Sequence, residues 1–449
     1  MRVTTTIIAC ILLPGTLLFG QPKTLTLDQA RQIALERNLN VAQAQNNVEA
    51  AQARVLAATG NYLPTLSALG AWHRSQTDVP VAGSYFDPNT LTFVTAGGRA
   101  LSSRFITELN LDYTVFDGFA REGTMQQASS NSVASELTAA RTRQTIAFDV
   151  EAGYLNVLRN EQLVRVSEEN LKRDRRQLER ITEANRVGSL SLADVYRQQS
   201  QVAQDELNVI TAQNNFDKSK ADLVALMGLD VAEEYNFVDP SLGTEISQAE
   251  LEATLTQYKD FSQASRQALA QRPDYQAAAE TFSATDAGVT SARSGYLPSV
   301  TANAGYSLNG ETFSSMSDTK TLNWGINLRW NIFDGFGTNQ ALQTAQVERK
   351  NADLSLRQTE RSINVEIKKA MLDLDAARKL YEVSQKGLVS ATEDRKIAEE
   401  RYNLGAGTLL DLLTANAGLV NAEANKINAV YNYITAKRNM EYVLGERKL

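Results

Sequence analysis

The chain is built twice. The stretch YTVFDGF at 113–119 returns as WNIFDGF at 330–336, so Asp117 recurs at Asp334. With the same offset of 217 residues, Gly188 recurs at Gly405, Asp194 at Asp411 and Gly228 at Gly445. A fixed period of this kind governs every later assignment, because whatever one copy folds into the other must match. Upstream, Tyr62-Leu63-Pro64 and Tyr296-Leu297-Pro298 are offset by 234, so the first copy carries 17 additional residues before its F-D-G. The surplus falls in residues 73–100, where Pro80, Pro88 and Gly97-Gly98 give loop chemistry. The segment after each F-D-G has one length in both copies, as expected of a rod whose ends must meet something.

Residues 322–332 alternate strictly. Leu322, Trp324, Ile326, Leu328, Trp330 and Ile332 share one side, and Asn323, Gly325, Asn327, Arg329 and Asn331 the other. This is the period of a strand with two unlike faces. Residues 105–115 behave likewise, with Phe105, Leu109, Leu111, Tyr113 and Val115 opposite Glu108, Asn110, Asp112 and Thr114. Weaker strands follow each Y-L-P, so the sequence predicts one hairpin per copy and four strands per chain. Apolar-out, polar-in alternation over about 9–11 residues, with aromatics near the ends, suits a transmembrane β-barrel. Four strands cannot close one, and an open edge in hydrocarbon leaves backbone groups unpaired. A membrane barrel would therefore need several copies of the chain.

Past each F-D-G the period changes. From Phe119 to Arg186 there is no proline, and Ala, Gln, Glu, Arg and Leu dominate. The spacing predicts a helix of roughly 100 Å at about 1.5 Å per residue. Near the C-terminus, Leu413, Val420, Ile427 and Ile434 recur every seven residues beside Leu410, Ala417, Ala424 and Tyr431, the pattern of a coiled-coil seam.

Each long helix must reverse at RVGSLSLADV (186–195) or NLGAGTLLDL (403–412). Gly188 and Gly405 suit the left-handed residue that ends a helix. Ser191 with Asp194, and Thr408 with Asp411, have capping-box spacing, which accounts for both aspartates structurally. The functional alternative is a ring of carboxylates formed by several copies about an axis, acting as a cation-selective constriction or gate. The two roles are compatible.

Composition narrows the classes further. The formal charge is −7 with no isolated basic block, which argues against nucleic acid. The N-terminus, with Arg2, an apolar run from Ile7 to Phe19 and then polar residues, reads as a signal peptide over residues 1–20. The single cysteine, Cys10, lies within it, so the mature chain would need no thiol chemistry. One histidine, His73, and the absence of P-loop or G-x-S-x-G motifs leave no catalytic residues, metal ligands or cofactor site to name. A periplasmic coiled-coil adaptor or structural protein without pore activity is the main rival, since it would share the helices but need no lipid-facing strands.

At these residues the chain resembles the TolC-like outer-membrane efflux protein family. The resemblance rests on both Y-L-P entries, both F-D-G exits and both V/L-G-x-x-x-x-x-D turns, in order across the mature chain. It implies a mixed, mostly α fold: an outer-membrane β-barrel shared in a homotrimer and continued by a long periplasmic α-helical tube. The expected organisation is a first repeat over 21–228 (hairpin about 63–116, helical hairpin about 119–227), an equatorial connection over 229–265, and a second repeat over 266–449 (hairpin about 297–333, helical hairpin about 336–445). Implied partners are outer-membrane lipid, a periplasmic adaptor and an inner-membrane pump. The chain would be a passive exit duct, not an enzyme, opening at its periplasmic tip. Carried over by position, Asp411 lines the constriction, and Asp194 and Tyr402 belong to links that hold the tip closed. Val187, Gly188, Leu404 and Gly405 match the adaptor-contacting turn, while Asp117, Gly118, Asp334 and Gly335 form the strand-to-helix joints. Two departures stand out: Gly407 replaces an arginine of those links, and Thr414 replaces a second ring aspartate.

Overall fold

The computed structural model describes residues 23–80, 83–95, 98–238 and 245–446. The signal-peptide reading, with Cys10, lies outside these residues, as do Gly97, Pro240 and Gly243.

The duplication is visible element by element. The first copy runs β1 (Lys23–Leu25), α1 (Leu27–Arg37), α2 (Leu39–Gly60), β2 (Thr65–Val79), β3 (Ser84–Asp87), β4 (Thr92–Thr95), β5 (Gly98–Phe116), α3 (Ala120–Arg186) and α4 (Leu192–Leu226). After β6 (Tyr235–Phe237) and α5 (Gln248–Gln257), the second runs α6 (Phe261–Gln271), α7 (Pro273–Arg293), β7 (Ser299–Gly310), β8 (Thr319–Arg329), α8 (Gly337–Asn403) and α9 (Leu409–Leu444). Helices α3 and α8 each contain 67 residues, so the constant offset reflects two helices of identical length. The extra residues of the first copy lengthen β2 and β5 and add the small hairpin β3–β4.

Two compact units form. One comprises the chain up to Ala42, Thr142–Gln271 and Val365 onward, and the other Gln43–Arg141 and Arg272–Asn364.

The second unit carries an antiparallel sheet in the order β2-β5-β7-β8. Its register aligns Leu66 with Leu111, Leu111 with Ala304, and Ala304 with Trp324. One row away it aligns Ser67, Asn110, Gly305 and Asn323. Opposed residues share a face, so the alternation of single strands adds up to one apolar and one polar face across the whole sheet. On the apolar face Trp324 is 79% exposed and Ile326 73% exposed, an area of indole and aliphatic surface that water does not tolerate uncovered. On the polar face Asn327 donates to Asn303 across the pair at 2.8 Å. Strand β8 stops at Arg329, three residues short of the expected end at Ile332. Its partner β7 starts at Ser299, opposite Arg329, because Pro298 has no N–H to extend the ladder. Trp330 instead donates its indole N–H to the Tyr296 carbonyl at 3.1 Å.

The first unit has its core where α3, α4 and α9 meet the parallel pair β1–β6. Tyr154, Leu155, Leu223, Met227, Phe237 and Tyr431 are buried together, and Tyr154 donates its hydroxyl to the Leu25 carbonyl at 2.9 Å. Helices α4 and α9 both end on left-handed glycines, Gly228 and Gly445. Tyr431 apart, the seam of α9 is offset by one residue from the expected one. Leu409, Leu412, Asn416, Leu419, Val430, Tyr433 and Met440 are the buried row, whereas Leu410 is exposed and Leu413, Val420, Ile427 and Ile434 are half-buried. The apolar arc of α9 is wide, and Asn416 in the buried row disguises which edge faces inward.

Candidate functional site

Two sets of duplicated residues were expected to matter, the joints and the helical turns. At each joint the aspartate is a helix cap. Asp117 accepts the backbone amides of Ala120 and Arg121 at 3.1 Å each, and Asp334 accepts that of Thr338 at 2.7 Å. Anionic acceptors at a helix start satisfy amides that have no intrahelical partner. The bonds from Thr338 hold the Asp334 carboxyl below its ordinary pKa. Gly118 and Gly335 take φ of 71° and 67°, and the next residues, Phe119 and Phe336, are left-handed too, at 72° and 71°. A double left-handed step turns the chain out of the strand in a way that a single glycine does not. Each strained Phe packs edge-on against the Phe three residues earlier, with Phe116–Phe119 at 5.5 Å and Phe333–Phe336 at 5.6 Å.

Sequence reasoning missed Arg121. Its guanidinium pairs with Asp117 at 3.2 Å and donates to the Thr114 and Val115 carbonyls at 2.8 and 3.1 Å. These carbonyls lie where the β5–β7 register shifts between Thr114 and Phe116. The second copy has Thr338 at this position, so duplication alone gave no hint of it.

At the turns, Gly188 and Gly405 have φ of 79° and 72°, with open space where a Cβ would lie. Ser189 and Ala406 return their amides to the Ala184 and Arg401 carbonyls, closing both helix ends in the expected way. Beside the glycines, Val187 and Leu404 are 65% and 83% exposed. A small buried cluster of Ile181, Val195 and Leu409, flanked by Leu178, Leu190, Tyr402 and Leu413, ties the turn of one repeat to that of the other.

The two caps differ. Thr408 donates its amide to Asp411 Oδ2 at 3.0 Å and accepts the Asp411 amide at 3.2 Å, a complete capping box. Asp194 departs from the expected box: Ser191 still accepts the Asp194 amide, but the carboxylate takes the Ser191 hydroxyl at 2.7 Å and Arg197 at 3.1 Å. The Arg197 guanidinium, one turn along α4, thus holds the oxygen that the Ser191 hydroxyl leaves free. Asp411 is fully exposed, and the Thr408 amide, then its hydroxyl, hold its carboxyl below the ordinary range. Arg401 adds a smaller attraction in the same direction. Tyr402 is half-buried, and burial, reinforced by the charge of Asp194, raises its pKa. Its hydroxyl makes no hydrogen bond to Asp194. Gly407 sits where a Cβ would press on Arg401 at 3.1 Å, and its amide donates to the Arg401 carbonyl.

Among the described residues no cluster of three or more metal-ligating side chains occurs, and no helix is long and apolar enough to cross a membrane.

The family model described as outer membrane efflux protein matches residues 30–229 and 264–446. The probable efflux pump outer membrane protein TtgC of Pseudomonas putida is 26% identical over 430 residues, covering 93% of this chain and 82% of TtgC. TolC of Escherichia coli is 23% identical over 353 residues, covering 75% of this chain and 68% of TolC. Among solved structures, the CmeC outer membrane channel of Campylobacter jejuni superposes with a TM-score of 0.77 at 19% identity, covering 98% of this chain and 94% of CmeC.

Proposed function

Since the chain belongs to the outer membrane efflux protein family, we propose that three copies assemble into one passive duct that meets a periplasmic adaptor and an inner-membrane pump at its helical turns. The protein is an outer-membrane export channel with a barrel and a helical tunnel. The observation that carries the finer reading is the two-faced sheet. Its apolar face requires lipid, its polar face suits water, and its edges β2 and β8 each pair with a single neighbour. Sheet edges cannot stand open in hydrocarbon, so other copies must cover them.

The tip chemistry follows from the turns. Val187 and Leu404 present apolar side chains on tight, glycine-closed corners, a shape that suits docking into a partner's groove. Asp411, repeated about the axis, supplies a ring of negative charge held ionised by its cap. Gly407 brings no guanidinium to that ring, so closure rests on the buried cluster around Ile181, Val195 and Leu409. The duct needs no catalysis of its own.

Extraction and conductance test this together. The protein should leave isolated outer membranes only with detergent, migrate as a cross-linkable trimer, and conduct ions in a planar bilayer. A water-soluble monomer without conductance would overturn the reading.

A further inference from the structure

The wall of the first helical hairpin contains a carboxyl pair that neither the cap nor the core explains. Asp174 on α3 and Asp205 on α4 are 1% and 2% exposed. Each engages one oxygen with a side-chain amide: Asn416 of α9 reaches Asp174 Oδ1 at 3.4 Å, and Gln201 of α4 reaches Asp205 Oδ1 at 3.1 Å. The other oxygen of each, Asp174 Oδ2 and Asp205 Oδ2, is buried without a donor. Two buried acceptors lacking donors are costly as carboxylates, and because the two carboxyls lie within hydrogen-bonding reach of each other one proton between them removes both defects.

We propose that Asp174 and Asp205 share a single proton, forming an acid–carboxylate latch that ties α3 to α4 and releases when that proton is lost. The proton resides on one Oδ2 and is donated to the other. Its loss leaves two like charges that can be solvated only by admitting water, which means parting the helices.

Among the described residues no cation is paired with either carboxylate, and the neighbouring arginines are engaged elsewhere. On α3, Arg173 is directed to Asn170 and to Glu423 of α9, the latter at 3.6 Å. On α8, Arg395 is occupied by Asn416 Oδ1 at 3.0 Å and Glu399 at 3.0 Å. From α4, Gln198 gives its amide N–H to the Asp174 backbone carbonyl, not to the carboxylate. Burial, then the hydrogen bond and charge of Asp174, push the Asp205 carboxyl up to about 7, opposed more weakly by Gln201 and Asn170. The folded hairpin therefore holds a proton that an unfolded chain would release near the ordinary carboxylate value. Hairpin stability accordingly falls as pH rises from the ordinary carboxylate range toward about 7 and is level above it.

Infrared difference spectra of the full-length protein in detergent, with isotopically labelled aspartate, read the proton directly. A protonated-carboxyl band should be present on the acid side of about pH 7, bleach on the alkaline side, and be missing from Asp205→Asn. Spin labels at Arg175→Cys and Glu206→Cys, an exposed pair 2.7 Å apart across α3 and α4, read the latch. Their separation should widen over the same pH interval in the wild-type background and stay constant with Asp205→Asn, whose amide mimics the protonated acid. A band that is absent, that survives in Asp205→Asn, or that appears only after a chelator strips a bound cation would overturn the proposal. So would a label separation that ignores pH.

Discussion

Asp194 and Asp411 occupy equivalent positions in the two repeats, yet only Asp411 takes the amide of its own cap residue; Asp194 takes the Ser191 hydroxyl on one oxygen and Arg197 on the other. The two halves therefore offer different electrostatics at turns of the same shape.

The first prediction isolates that charge. Asp411→Asn keeps an oxygen that can accept the Thr408 amide while removing the negative charge. It should leave the yield of folded protein unchanged and lower the cation preference of the open channel, read as a smaller reversal potential under a salt gradient. An unaltered reversal potential would reduce Asp411 to its capping role.

Acid titration separates the cap from the ring. The Thr408 bonds depress the folded pKa of Asp411, so the stability it contributes is present above the ordinary carboxylate value and lost as pH falls through the depressed one. Cation preference should accordingly persist in wild type near the unperturbed value of about 3.9. In Thr408→Ala it should fade at higher pH, and loss of the cap should cost about 1 kcal/mol of helix stability. Conductance recorded across an acid series checks the order.

The two joint glycines should respond unequally to alanine. Both carry positive φ, so each substitution costs about 1–2 kcal/mol in backbone strain. At Gly335 nothing lies within 4 Å of a new Cβ, whereas at Gly118 it would meet the Ser294 carbonyl oxygen at 2.7 Å. Gly118→Ala should lower the melting temperature of the detergent-solubilised trimer clearly more than Gly335→Ala.

Arg121 offers a test of the strand end. Arg121→Ala strips donors from the Thr114 and Val115 carbonyls and should destabilise by about 1–3 kcal/mol. Arg121→Lys should recover only part, because an ammonium lacks the fork that reaches both oxygens. Thermal denaturation of the three proteins ranks them.

How far these features were readable from sequence depends on whether they are local. The period-2 rows of β5 and β8, the 67-residue helices and the Thr408 box are local patterns, and they stand where expected apart from the three residues by which β8 falls short. Features that depend on a distant element were not visible. Arg121 finds its carbonyls only once β5 has bulged, and Asn416 enters the buried row of α9 because Asp174 and Arg395 await it there. The left-handed Phe119 and Phe336 were hidden for another reason: glycine accounts for a turn so readily that its neighbour's strain goes unsuspected.

The unmatched edges of β2 and β8 bear on the life of the chain before it works. Among the described residues each of these strands has one neighbour, so in the proposed assembly the last folding step is a collision with other copies, one that slows as the protein becomes scarce. A newly exported chain is thus an unfinished object with adhesive margins. In the assembly proposed above, concentration as well as sequence would set how fast it matures into a conduit.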